Sequence, residues 1–135
     1  MFVQHTYSLE EAIKRGGVYH EKGIFSKKEI ITKTLERLAP LLRTEPGPLI
    51  ECFLEREGLM PTGLNKGVAV PHSRQYFQKW GEDVIVLVHL DTPIAWGALD
   101  RRPVHTLFFL FAVSDKHHLQ LLARIAHLVL CPDFL

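Results

Sequence analysis

Several things are missing from this chain, and each absence removes a class of function. No apolar run reaches signal-peptide or membrane-span length, and Met1 leads directly into polar sequence. Direct membrane insertion is therefore not expected. Cysteine is scarce. Cys52 and Cys131 lie in apolar company and form no Cys-x-x-Cys pair, the pattern of reduced thiols in a cytoplasmic protein. Charge of one sign is lacking as well: 16 Lys and Arg against 15 Asp and Glu leave a net +1. That balance supplies neither a nucleic-acid tract nor a membrane-surface patch. There is no P-loop, no Gly-rich dinucleotide fingerprint and no Gly-x-Ser-x-Gly elbow. Eight histidines raise the question of metal, yet no His-Glu-x-x-His or Cys/His cluster occurs. Only His117 and His118 are adjacent, too cramped for a zinc site, so no metal and no cofactor is expected.

What is present fits one soluble domain over residues 1–135, with 47% hydrophobic and 23% charged residues and no repeat or linker. A chain of this length buries roughly two-thirds of the surface it exposes when unfolded. The order along the chain is helices, then strands, then a helix. Ser8-Leu-Glu-Glu11 is a capping-box pattern opening a short helix that Gly16-Gly17 closes. Ser26-Lys-Lys-Glu29 repeats the device before a longer helix with Ile31, Leu35, Leu38 and Leu42 on one face, and Pro40 ends or bends its last turn. A third helix begins near Pro46, buries Leu49, Ile50, Phe53 and Leu54, and stops at Gly58. Then the periodicity changes. Gly67 to Val70, Val84 to Leu90 and Val104 to Val113 are apolar runs suited to strands covered on both faces. Turn and edge signals lie at Asp91–Trp96 and Asp100–Pro103, and Asp115 caps a last helix whose face holds His118, Leu122, Ile125 and Val129. The expected fold class is α/β, a small mixed β-sheet sandwiched between α-helices.

Three residues carry candidate chemistry. His72 follows the short β-type run and Pro71, with small and polar neighbours that let a large anion approach. A neutral imidazole has a free lone pair near pH 7 and can hold a phosphoryl group covalently. The plainer reading is a loop histidine bonded to a nearby carbonyl. His118 lies in the first turn of its helix, where the peptide dipoles favour negative charge and a neutral ring could donate to a phosphate oxygen. The plainer reading packs it against the sheet, with His117 solvated. Arg56, between Glu55 and Glu57, is either a cation at a helix C-terminus or a planar fork for phosphate oxygens. Phosphoryl transfer depends mainly on positioning and charge stabilisation, so one acceptor and one or two donors suffice. Without a nucleotide site, the phosphoryl group has to come from another phosphoprotein.

Taken in order, Leu54-Glu-Arg-Glu-Gly-Leu-Met-Pro-Thr62, Gly67-Val-Ala-Val-Pro-His72, the Pro93-Ile-Ala-Trp96 to Asp100 turn, and the strand before His118-Leu-Gln-Leu-Leu-Ala123 carry a resemblance. The chain resembles the type-2 enzyme IIA domains of the bacterial phosphoenolpyruvate-dependent phosphotransferase system, the fructose/mannitol class and its nitrogen-related regulatory relatives. That resemblance implies the phosphotransferase IIA type-2 fold, with His72 at the phosphorylated position. His118 would match the second active-site histidine and Arg56 the active-site arginine. Thr62, Lys66, Ser73 and Arg74 are further candidates for the phosphate pocket, where the two cations would favour a phosphate electrostatically. It also implies an HPr-like phosphocarrier as donor and a sugar-specific IIB domain, or a regulatory target protein, as the next partner. Some features depart from the family. Ser73 and Arg74 stand where many relatives have glycine after the histidine, Lys66 replaces a neutral residue, and the last helix is expected to be missing. Two readings stay open: a relay to a IIB domain, and a stand-alone regulator whose partners depend on the state of His72. A phosphorylation-independent module, as in the anion-exchanger cytoplasmic domains that resemble this fold, is disfavoured by the joint presence of His72, His118 and Arg56.

Overall fold

The computed structural model describes residues 9–73 and 81–130. The expectations resting on Ser8, Cys131 and the chain's last residues lie outside them. Two long strands, β3 (Val84–Ile94) and β4 (Val104–Phe111), set the architecture, because their side chains are apolar on both faces for most of their length. Both faces must then be covered. Val84, Val86, Val88 and Leu90 join Leu107, Phe109 and Phe111 on one side, against α2 (Lys27–Leu42) and α3 (Pro46–Leu59). Ile85, Phe108 and Leu110 turn the other way, against Ala12 of α1 (Leu9–Gly16) and Leu121, Ile125 and Val129 of α4 (Asp115–Leu130). Two short strands, β1 (Val18–Glu21) and β2 (Val68–Ala69), complete a four-stranded sheet in the order β1-β3-β4-β2. Each edge strand runs parallel to its neighbour, while β3 and β4 are antiparallel. The sheet is mixed and lies between helices, as expected.

Four details differ from the sequence reading. A strand, β1, intervenes between the first two helices. It has four residues and only Glu21 is buried, so no periodicity betrayed it. Strand β3 runs through the turn signals to Ile94. Its register with β4 slips between His89–Thr106 and Ile94–Val104, an irregularity that accommodates Pro93, which has no N–H for the ladder. Helix α3 passes Gly58 and ends at Leu59, where Met60 turns extended (φ −162°). Finally, the hydroxyl of Ser114 accepts the His117 N–H at 3.3 Å, so Ser114 caps α4 and Asp115 is its first residue.

The capping box at Ser26 and Glu29 is closed by both of its hydrogen bonds, 3.1 and 2.8 Å. Pro40 sits inside the last turn of α2, and the helix stops two residues later on a left-handed Arg43 (φ 56°). Gly16 is required by space: a Cβ there would lie 2.2 Å from the Ile85 carbonyl oxygen. A Cβ on Gly58 would meet nothing within 4 Å. Gly16→Ala is therefore expected to lower stability by roughly 1–3 kcal/mol through overpacking. Gly58→Ala should raise it by up to about 1 kcal/mol through helix propensity. Urea unfolding of the two variants checks both signs.

Candidate functional site

The segment that carries His72 is pinned on both sides. The Val70 N–H donates to the Thr62 carbonyl at 3.0 Å, and the Pro71 carbonyl accepts from Leu110 of β4, also at 3.0 Å. His72 then folds back so that its Nδ1 donates to the Val70 carbonyl at 2.8 Å. A carbonyl can only accept, so the proton sits on Nδ1 and the lone pair is on Nε2. His72 as a whole is 9% exposed. Beside it, from the first turn of α4, His118 makes an edge contact, with ring centroids 4.7 Å apart and planes at 66°. Arg56 arrives from the last turn of α3, anchored by Nη1 to the Met60 carbonyl at 2.7 Å.

Burial and charge both favour neutral rings. Burial pushes the His72 pKa down from 6.5 to about 4. The Val70 bond opposes this, while the His118 and Arg56 charges add to it. Burial also lowers His118, opposed by the Asp115 carboxylate and reinforced by Arg56. Arg56 thus acts on both imidazoles. Were Nε2 to bond phosphorus, the ring would take on positive charge that the Val70 carbonyl could meet at Nδ1–H. The phosphoryl oxygens can be met by the guanidinium and by a His118 N–H.

Beneath this group lies a buried carboxylate. Glu57, 6% exposed, accepts the Thr62 N–H and hydroxyl, each at 2.7 Å, and pairs with Lys27 at 3.0 Å. Lys27 also donates to the Trp96 carbonyl and lies over the indole ring. The expected Thr62 hydroxyl is therefore committed to Glu57, and Thr62 reaches His72 only through the backbone at Val70. Ser73 is buried next to His72, with its side chain hydrogen-bonded to the Cys52 thiol. Lys66 is not brought to this cluster. It lies before β2, with its N–H on Asp100 and its backbone hydrogen-bonded to the His105 ring, so the whole of β2 separates it from His72. Arg74 lies outside the described residues.

Two residues were missed or misread. Glu57 reads as part of a charged turn, yet it falls at the helical spacing Leu49, Phe53, Glu57 on the buried face, a signal that could have found it. His117 is not simply solvated: its Nδ1 bonds to the buried Asp83 carboxylate at 2.7 Å, which also takes the Val113 N–H. Leu59 and Met60, three and four residues after Arg56, and Leu119, next to His118, are exposed apolar side chains.

Residues 11–135 match the family described as "Phosphoenolpyruvate-dependent sugar phosphotransferase system, EIIA 2". The chain is 37% identical over 107 residues to the nitrogen regulatory protein of Escherichia coli (strain K12), covering 75% of this chain and 63% of that protein. It thus spans less than two-thirds of that relative's length. Nitrogen regulatory protein IIA-Ntr from Neisseria meningitidis superposes with a TM-score of 0.71 at 27% identity, over 81% of this chain and 75% of that one. The complex of Escherichia coli enzyme IIAMTL with phosphorylated enzyme IIBMTL contains the same fold, with a TM-score of 0.62 at 20% identity over 83% and 77%.

Burying a neutral imidazole makes stability depend on pH. Between about 4 and 6.5 the unfolded chain binds the His72 proton and the folded chain does not. The contribution is complete above 6.5 and is lost as the pH falls towards 4, by roughly 3 kcal/mol at about 1.36 kcal/mol per pKa unit. An NMR titration of the His72 ring should show a midpoint near 4, and His72→Gln should flatten the acid limb of the stability curve. A midpoint at or above the ordinary value would contradict the buried, Nδ1-tied ring.

Proposed function

We propose, since the chain belongs to the phosphoenolpyruvate-dependent sugar phosphotransferase system EIIA 2 family, that His72 accepts a phosphoryl group from an HPr-like phosphohistidine carrier and passes it to a sugar-specific IIB domain. The reading rests on one observation: Nδ1 of His72 is tied to the Val70 carbonyl, so Nε2 is the nucleophile in the pocket shared with His118. In the step, the Nε2 lone pair forms a bond to phosphorus as the donor's N–P bond breaks and the donor nitrogen keeps its electron pair. The proton on Nδ1 stays in place. The donor brings the phosphoryl group, so no nucleotide or metal cofactor is needed. Arg56 and His118 offset the charge on the oxygens. Ser73 adds to the pocket from the residue after His72, and Thr62, held by Glu57, supports it through its carbonyl on the Val70 N–H.

The chain is read as one domain over residues 1–135, working in the cytoplasm. Among the described residues no helix is long and apolar enough to cross a membrane. A IIB acceptor is supported by the mannitol IIA neighbour, solved in complex with phosphorylated IIB. A second reading is supported by the nitrogen regulatory relatives: the phosphorylation state of His72 selects which target protein binds. Both readings use the same chemistry at His72.

Incubation with phosphoenolpyruvate, enzyme I and HPr should place an acid-labile phosphate on His72 and none on His72→Ala. Label retained by that variant would remove the assignment. Arg56→Ala and His118→Ala should each slow transfer, by an amount corresponding to about 2–4 kcal/mol of barrier. Discharge on adding a IIB domain favours the relay. Retention of the phosphate together with phosphate-dependent capture of a regulatory target favours the second reading.

A further inference from the structure

The carboxyl ends of β1 and β3 lie at the opposite end of the sheet from His72. There the parallel register sets His20 directly opposite His89. Asp91 follows two residues along β3, and positions two apart on a strand share a face. The His20 and His89 rings meet edge-on with centroids 5.1 Å apart, and Nε2 of His20 pairs with the Asp91 carboxylate. One ligand atom from each of the three residues lies within 4.8 Å of the other two, and all three side chains are exposed. Behind them, the Thr106 hydroxyl sits 3.5 Å from His89 Nδ1 and 2.8 Å from His105 Nδ1. A polar partner behind a ligating imidazole is what fixes its ring orientation in metal sites.

We infer that His20, His89 and Asp91 form a binding site for a divalent transition metal, with Zn²⁺ the ion that fits best. Two imidazoles and one carboxylate are a mixed nitrogen and oxygen set, whereas Mg²⁺ and Ca²⁺ prefer oxygen alone. Three protein ligands leave a fourth tetrahedral position for water. Zinc bonds of about 2.0–2.1 Å put ligand atoms about 3.4 Å apart. From a spread of at most 4.8 Å, side-chain rotation of exposed groups closes that difference without moving the strands. A surface ion pair would account for His20 and Asp91 but not for a second imidazole packed edge-on at the same point. The residues are far apart in sequence, so chain spacing alone gave no sign of a metal set. Bound zinc would clip the edge strand β1 to β3 at a place remote from the phosphoryl chemistry. Thr106, beside His89, lies four residues along β4 from Leu110, which holds the Pro71 carbonyl, a separation of about 13 Å.

The test is calorimetric titration of the metal-stripped full chain with ZnCl₂, repeated on His72→Ala, which removes the His72–His118 pair of imidazoles at the opposite end of the sheet. One equivalent should bind in both with micromolar affinity. Added Co²⁺ should give the visible absorption of a low-coordinate nitrogen and oxygen site. His20→Ala, His89→Ala and Asp91→Asn should each weaken binding about tenfold or more, since even an outer partner of a metal ligand is worth about that much. Far-UV circular dichroism of the stripped variants verifies that they are folded. If either histidine variant misfolds, Asp91→Asn and the Co²⁺ spectrum still decide. No binding at millimolar zinc, unchanged affinity in all three variants, or loss confined to His72→Ala would each overturn the inference.

Discussion

The hydrogen bond from His72 Nδ1 to the Val70 carbonyl governs what this protein can do. It selects the tautomer, aims the ring and leaves the lone pair on Nε2, the atom that would attack phosphorus in the proposed transfer. Its acceptor is held in turn by the Val70 N–H on Thr62, by Thr62 on Glu57, and by Glu57 on Lys27 at the start of α2. A buried carboxylate would be costly alone, but here it takes three donors, the condition under which a buried charge is tolerated. The orientation of one imidazole therefore depends on the packing of α2 against α3, several residues away from any chemistry. A nucleophile placed this way needs no movement of its own ring to react.

The electrostatics work in the same direction. A nucleophilic ring must be unprotonated, while a phosphorylated ring and its oxygens must be stabilised as charges. Arg56 contributes to both. Its positive charge disfavours protonation of His72 and His118, and in the proposed transfer it would attract the phosphoryl oxygens. Burial strengthens each effect by thinning the solvent around them. Because α4 begins beside His72, the positive end of its backbone dipole adds to this field.

Legibility in the sequence followed the length of the signal. The two long strands and the longer helices were readable because their apolar positions repeat over many residues, and His72, His118 and Arg56 came from motif order. The edge strand β1 was not readable: at four residues with one buried side chain, it is held in place by its pairing with β3. Missing it hid the His20–His89 pairing as well. Lys66 was misplaced for a related reason. Its nearness to His72 in the chain says nothing about distance once a strand, β2, runs between them. Glu57 was hidden by its charge, since a charged residue in a charged turn is usually solvated and only its place on the apolar face marks it as buried.

Topology explains why the chemistry collects where it does. With both faces of the sheet covered by helices, only its ends and edges reach solvent. Strands β2 and β4 are parallel neighbours, so their carboxyl ends fall together. His72 follows one and α4 follows the other, and His118 is therefore delivered beside His72 by strand direction alone. Strands β1 and β3 are the second parallel pair, and they run the opposite way because β3 and β4 are antiparallel. Their carboxyl ends gather His20, His89 and Asp91 at the far end of the sheet by the same rule. Each end thus receives the polar residues of one parallel pair. The central antiparallel contact between β3 and β4 keeps the two groups apart, so a change at one end need not disturb the hydrogen bond that orients His72.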